Sequence, residues 1–69
     1  MADDPSTFRA RAAAEQANAD AAALDNVRER CERAAKAWTE MADRAERTQA
    51  QRHAREAASV AAREAVVAE

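Results

Sequence analysis

The sequence has no glycine, no tyrosine, one proline (Pro5), one cysteine (Cys31), one histidine (His53) and two aromatic residues, Phe8 and Trp38. Each shortage excludes something. Glycine and proline cost a helix interior about 1 and about 3 kcal/mol, so past Pro5 nothing in the chain strongly interrupts a helix. Without glycine there is no Gly-rich loop to cradle a phosphate. A single cysteine rules out an intramolecular disulfide and suits a reducing, intracellular setting. One thiol and one imidazole fall short of the four clustered ligands of a zinc site. No stretch approaches the roughly 18 uncharged apolar residues of a membrane span. Met1-Ala2-Asp3-Asp4-Pro5 carries neither a basic nor an apolar leader region, so no signal peptide is expected there and a cytoplasmic location is.

Alanine, the best helix former, fills 23 of the 69 positions. The expected fold class is therefore all-α. Most of the apolar 48% is alanine, which buries little area. The large apolar side chains are Phe8, Leu24, Val27, Trp38, Met41, Val60, Val66 and Val67, with Cys31 as a small hydrophobe. At about 1.5–3 kcal/mol for each fully buried large side chain, one copy makes a thin core. Chains of this length rarely stand alone without a staple, so self-association is expected.

Asp4 before Pro5 reads as a helix start, with Asp at the N-cap and Pro at the first helical position. A first helix over about 5–23 follows, with an apolar stripe Ala10, Ala14, Ala17, Ala21, Leu24 spaced 4-3-4-3. Residues 24–26 read as a turn, because Asp25 and Asn26 accept turn conformations. Asn26 and Glu29 have the spacing of a capping box for a second helix over about 27–66. A continuous helix through Asp25-Asn26 is the alternative, since neither residue forbids it. The second stripe, Val27, Cys31, Ala34, Trp38, Met41, Ala45, Thr48, is the most regular pattern in the chain. Beyond Thr48 the stripe would land on Arg52, Arg55 and Ser59, and an alanine face (Ala50, Ala54, Ala57, Ala61, Ala65, with Val60 and Val67) takes over. The helix either runs on with its apolar face rotated, or breaks near 49–53; the first is favoured, with the last part leaving the hairpin or fraying.

These elements predict a single small domain over 1–69, an antiparallel helical hairpin with a long second helix. Pairing the stripes sets Leu24 near Val27, Ala21 near Cys31, Ala17 near Ala34, Ala14 near Trp38 and Ala10 near Met41, with Phe8 beside Met41, Ala42 and Ala45. One side of Phe8, Trp38 and Met41 stays open, and a second copy covering it would give a multi-helix bundle. Phe8, Leu24, Val27, Cys31, Trp38 and Met41 are the candidate core and self-association residues.

Residues 1–26 carry a charge of −3, residues 27–55 of +3 and residues 56–69 of −2, which suits an acidic arm packed on a basic middle. Glu29–Arg33, Glu32–Lys36, Glu40–Arg44 and Asp43–Arg47 are spaced for helix-supporting ion pairs. Arg44, Arg47, Arg52 and Arg55, with His53, form the densest basic stretch, a candidate phosphate-contacting face. Glu46 and Glu56 dilute it and no aromatic residue accompanies it, so a solvated helix face is the simpler reading. Cys31 and His53 are 22 residues apart on different faces of one expected helix, too far for a nucleophile pair. Cys31 reads as a packed thiol, or as an intersubunit disulfide near a symmetry axis. No catalytic residue, metal ligand or cofactor site is assigned.

The order Phe8, Arg11, Glu15, an alanine-rich run, Leu24, Val27-Arg28, Cys31, Ala34-Ala35 and Trp38 is similar to short uncharacterised Ala/Arg/Glu-rich helical-hairpin proteins of alphaproteobacteria, over residues 8–47. The resemblance implies a hairpin in a bacterial cytoplasm and brings no activity with it. The expected function is a non-enzymatic protein-interaction or self-assembly module, a small regulator or an assembly piece. The partner is a second copy, or another protein held by the helical tail over 57–68. The alternative is a nucleic-acid-associated protein using 44–55. No membrane contact is expected.

Overall fold

The computed structural model describes residues 4–68. The leader reading of residues 1–3 falls outside them, as does residue 69. The described residues form two α-helices, α1 (Pro5–Ala21) and α2 (Asp25–Ala68). Asp4 is extended at φ −73°, ψ 133°, and Pro5 opens the helix, where its missing N–H costs nothing. The Asp4 side chain does not cap the backbone; it accepts a hydrogen bond from the Ser6 hydroxyl. The Asp4 carbonyl accepts from the N–H groups of Thr7 and Phe8 at 3.0 and 3.2 Å.

The connection lies at Ala22, Ala23 and Leu24, two residues earlier than the expected 24–26. Ala22 ends α1 in an extended conformation at φ −72°, ψ 131°, and its N–H reaches the carbonyl of Ala19 at 3.2 Å. No described residue has positive φ, so the break needs neither glycine nor asparagine. Asp25 and Asn26 are the first residues of α2 rather than its turn, and the expected capping box is displaced with them. The Leu24 carbonyl accepts from the Arg28 N–H at 3.0 Å, and Asp25 pairs with Arg28 at 3.1 Å. An acid in the first turn is favourable against the helix dipole, which makes Asp25 a better helix starter than turn former here.

α2 is unbroken for 44 residues and passes through 48–53 without interruption. At 1.5 Å per residue it is about 66 Å long. It sets the longest dimension of the chain, 68 Å against 16 and 15 Å across. The radius of gyration, 19.2 Å, is far above the about 11 Å of a compact domain of this length.

α1 packs on the first half of α2. The inward line of α1 is Pro5, Phe8, Ala12, Glu15, Ala19 and Ala22, all buried or half-buried, and the expected line Ala10, Ala14, Ala17, Ala21, Leu24 is exposed. At 3.6 residues per turn the two lines lie on opposite sides of the helix. The reason is Phe8, the one large apolar side chain of α1: turning its ring toward Trp38 turns the alanine stripe outward. Leu24 is 62% exposed and so is not part of the core within one chain. The other half of the expectation stands: Val27, Cys31, Ala34, Trp38, Met41 and Ala45 are all buried or half-buried, while Thr48 is exposed and the seam stops at Ala45. Residues 46–67 are exposed throughout.

Candidate functional site

The two edges along the contact between α1 and α2 differ in chemistry. One is polar and closed. Arg9 of α1 donates through Nη2 to Asp43 Oδ1 at 2.8 Å and to Glu46 Oε1, and through Nε to Glu46 Oε2 at 3.3 Å. The fork of the guanidinium matches this arrangement. Hydrogen bonding to Glu46, then to Asp43, raises the Arg9 pKa above its ordinary value. The cross-helix attraction therefore joins a cation of the acidic arm to acids of the basic middle, the reverse of the polarity expected from segment charges. Asp43 is thereby engaged across the helices rather than with Arg47. None of the four expected i,i+4 pairs is among the ion pairs of the described residues.

The second edge is apolar and open. Val27, Ala34, Trp38, Met41 and Ala45 fall within about 60° of one another around α2. All five are half-buried. The buried line Cys31, Ala35, Ala42 runs beside them, and Ala19 is the buried alanine of α1. Phe8 stacks on Trp38 with ring centroids 5.9 Å apart. Arg11 places its guanidinium carbon 5.3 Å from the Trp38 centroid, within cation–π range. The Phe8 ring thus meets Trp38, the position that the pairing of the stripes gave to Ala14, and Ala14 is exposed. Thr39 donates its hydroxyl to the Ala35 carbonyl at 2.9 Å, which satisfies a part-buried polar group within the helix.

The core and self-association candidates are brought together in part. Phe8, Val27, Cys31, Trp38 and Met41 lie along the contact, and Leu24 stands outside it at the connection. The sequence assigns no contact to Arg9, and it names Arg11 only within the order that carries the resemblance. No local spacing links Arg9 to positions 34 and 37 residues away; the signal lay in Phe8, whose inward placement fixes both arginines at the margins.

Arg44, Arg47, Arg52 and Arg55 are exposed and take part in no ion pair among the described residues. They fall on one side of α2, within an arc of about 140°. Glu46 is engaged by Arg9, and Glu56 lies 4.0 Å from His53. A shallow depression of about 350 Å³ is lined by Glu40, Asp43, Arg44 and Arg47, two acids against two cations rather than an apolar recess. Cys31 is buried and His53 exposed, about 33 Å apart along α2. No group of three or more His, Cys, Asp or Glu side chains among the described residues is placed to hold a metal ion, and no helix is long and apolar enough to cross a membrane.

No protein-family model matches the chain, and no curated protein or solved structure is significantly similar to it.

Proposed function

We propose that the chain is a non-enzymatic helical interaction module, an antiparallel hairpin that self-associates into a multi-helix bundle through its apolar edge. One observation carries this reading. Among the described residues no large side chain is fully buried: the buried apolar residues of the core are Ala19, Cys31, Ala35 and Ala42, while Leu24, Val60, Val66 and Val67 are exposed at 62, 44, 74 and 84%. A chain whose large apolar groups are half-buried at best gains little from folding alone and much from a partner that covers them. In a reducing cytoplasm Cys31 remains a packed thiol within that assembly. Sedimentation equilibrium tests the reading: a single species of twice the 7.5 kDa chain mass, or a higher multiple, is expected at micromolar concentration. A cooperatively folded monomer overturns it.

A second reading rests on the four arginines free of ion pairs between 44 and 55. As a phosphate-tracking face they would give DNA or RNA binding that weakens steeply with salt. Replacing Arg47 and Arg52 with alanine would then lower the slope by about two. Absence of binding at low salt removes this reading.

A further inference from the structure

We infer that one face of α2 is a binding surface for duplex DNA, held through its phosphates without reading of bases. This rests on the nucleic-acid reading and changes its residues: Arg30, Arg33 and Arg63 join Arg44, Arg52 and Arg55, and Arg47 leaves.

The helix is unbroken, so each of its positions has a fixed place around one axis. Arg30, Arg33, Arg44, Arg52, Arg55 and Arg63 fall within about 120° of one another. All six are exposed, and none takes part in an ion pair among the described residues. No Asp or Glu among the described residues of α2 lies in that sector. Glu40 and Glu56 stand nearest its two margins, about 160° apart. Arg47 lies beyond Glu40, in line with Glu29. Composition does not produce this separation, because positions 25–68 hold nine Arg and Lys and eight Asp and Glu. The order of the residues does.

The face is also open. It is turned about 120° round the helix from the buried line Cys31, Ala35, Ala42, so α1 leaves it uncovered. It holds its direction from Arg30 to Arg63, a length of about 50 Å, along the hairpin and the projecting half alike. Thr48, Gln51 and Ser59 are exposed between the arginines of the projecting half, and each can hydrogen-bond a phosphate oxygen. Arg11 of α1, over the Trp38 ring, adds a cation at the margin.

Duplex DNA fits such a face. A row of cations about 50 Å long calls for an equally long and stiff row of anions. Duplex DNA carries one phosphate charge per about 1.7 Å of its axis and bends little over that length. Every cation of the row is arginine, whose fork grips phosphate through two nitrogens, while Lys36 lies outside it. The row holds no aromatic side chain and so no platform for unpaired bases. Past Ala45 its one large apolar residue is Val66, too little to enter a bilayer. With the acids turned away, a chain of net charge −2 still presents a positive side to a polyanion.

Salt dependence in the full chain decides it. The probe is a labelled duplex of about 20 base pairs and arbitrary sequence, read by fluorescence anisotropy. Six phosphate contacts give a slope of log affinity on log salt near −5, or about a 10³-fold loss between about 50 and about 200 mM salt. Arg30→Ala with Arg33→Ala should flatten that slope by about two, and Arg63→Ala or Arg52→Ala by about one each. Arg47→Ala should leave it unchanged. Circular dichroism of each variant should match the parent, because these side chains are exposed and hold no ion pair. A slope that responds to Arg47 and not to Arg30, Arg33 or Arg63 overturns this face and leaves the basic stretch over 44–55 standing. Tighter binding to a single strand of the same length, or to vesicles of anionic lipid, overturns the duplex as partner. Absence of DNA binding at low salt overturns the face and the nucleic-acid reading together.

Discussion

The ring of Phe8 stacks on that of Trp38 across the two helices, with centroids 5.9 Å apart and planes inclined by 30°. This pair sets the rotation of α1, and with it the placing of Arg9 and Arg11. Phe8→Ala should destabilise the chain by about 2–3 kcal/mol, somewhat below a full core truncation because the ring is half-buried. Trp38→Ala should cost about 3 kcal/mol or more and shift the sedimentation profile toward monomer. Urea unfolding followed by helical circular dichroism measures both. An unchanged midpoint for either variant would place the pair outside the structural core.

The two alanine lines of α1 give a sharper test of rotation. Ala19 is 1% exposed and Ala17 is exposed. Ala19→Leu should therefore destabilise by about 1–3 kcal/mol through overpacking, while Ala17→Leu should leave the unfolding midpoint within about 0.5 kcal/mol of the parent. The reverse order would restore the stripe that the spacing alone suggests.

Arg9 holds the polar edge from a solvent-facing position, with its side chain 42% exposed. Arg9→Ala should lower the melting temperature by a few degrees at low salt. The difference should shrink near 1 M salt, where the screening length is about 3 Å. Arg9→Lys should recover only part of the loss, because an ammonium cannot reproduce the two-nitrogen grip on Glu46. The sign of the pH effect follows from the raised Arg9 pKa. The contribution is fully present below the ordinary guanidinium value and is lost only as pH rises through the raised one. On the Arg9 side, the difference between parent and variant should stay constant from neutral pH to about pH 10.

Cys31 is buried beside Ala35 and Ala42. Thiol labelling of the native chain should be slow, and its rate should climb with urea as the contact opens. Labelling as fast as that of an unfolded control would mean that α1 does not stay on α2.

Much of the fold was legible because composition leaves few alternatives. With no glycine and no proline after Pro5, helix was the one regular structure on offer, and the regular line from Val27 to Ala45 identified the inward face of α2. The inward face of α1 was not legible from spacing. Alanine occupies both Ala12 and Ala19 on one side and Ala10, Ala14, Ala17 and Ala21 on the other, so small residues repeat at helical spacing around most of the helix. Only the bulk of Phe8 separates the two sides. The connection was misplaced for a related reason: Asp25 and Asn26 suit a turn, but they suit a first helical turn equally, and the Asp25–Arg28 pair takes the second option. The Arg9 bridge depends on that rotation and was hidden with it.

The connection through Ala22, Ala23 and Leu24 uses only backbone conformations open to every residue except, in places, proline. The break between α1 and α2 is therefore not tied to any particular side chain. Nothing in that segment competes with the Phe8–Trp38 stack for the rotation of α1, so replacing Ala23, which is exposed, should leave the two rings together.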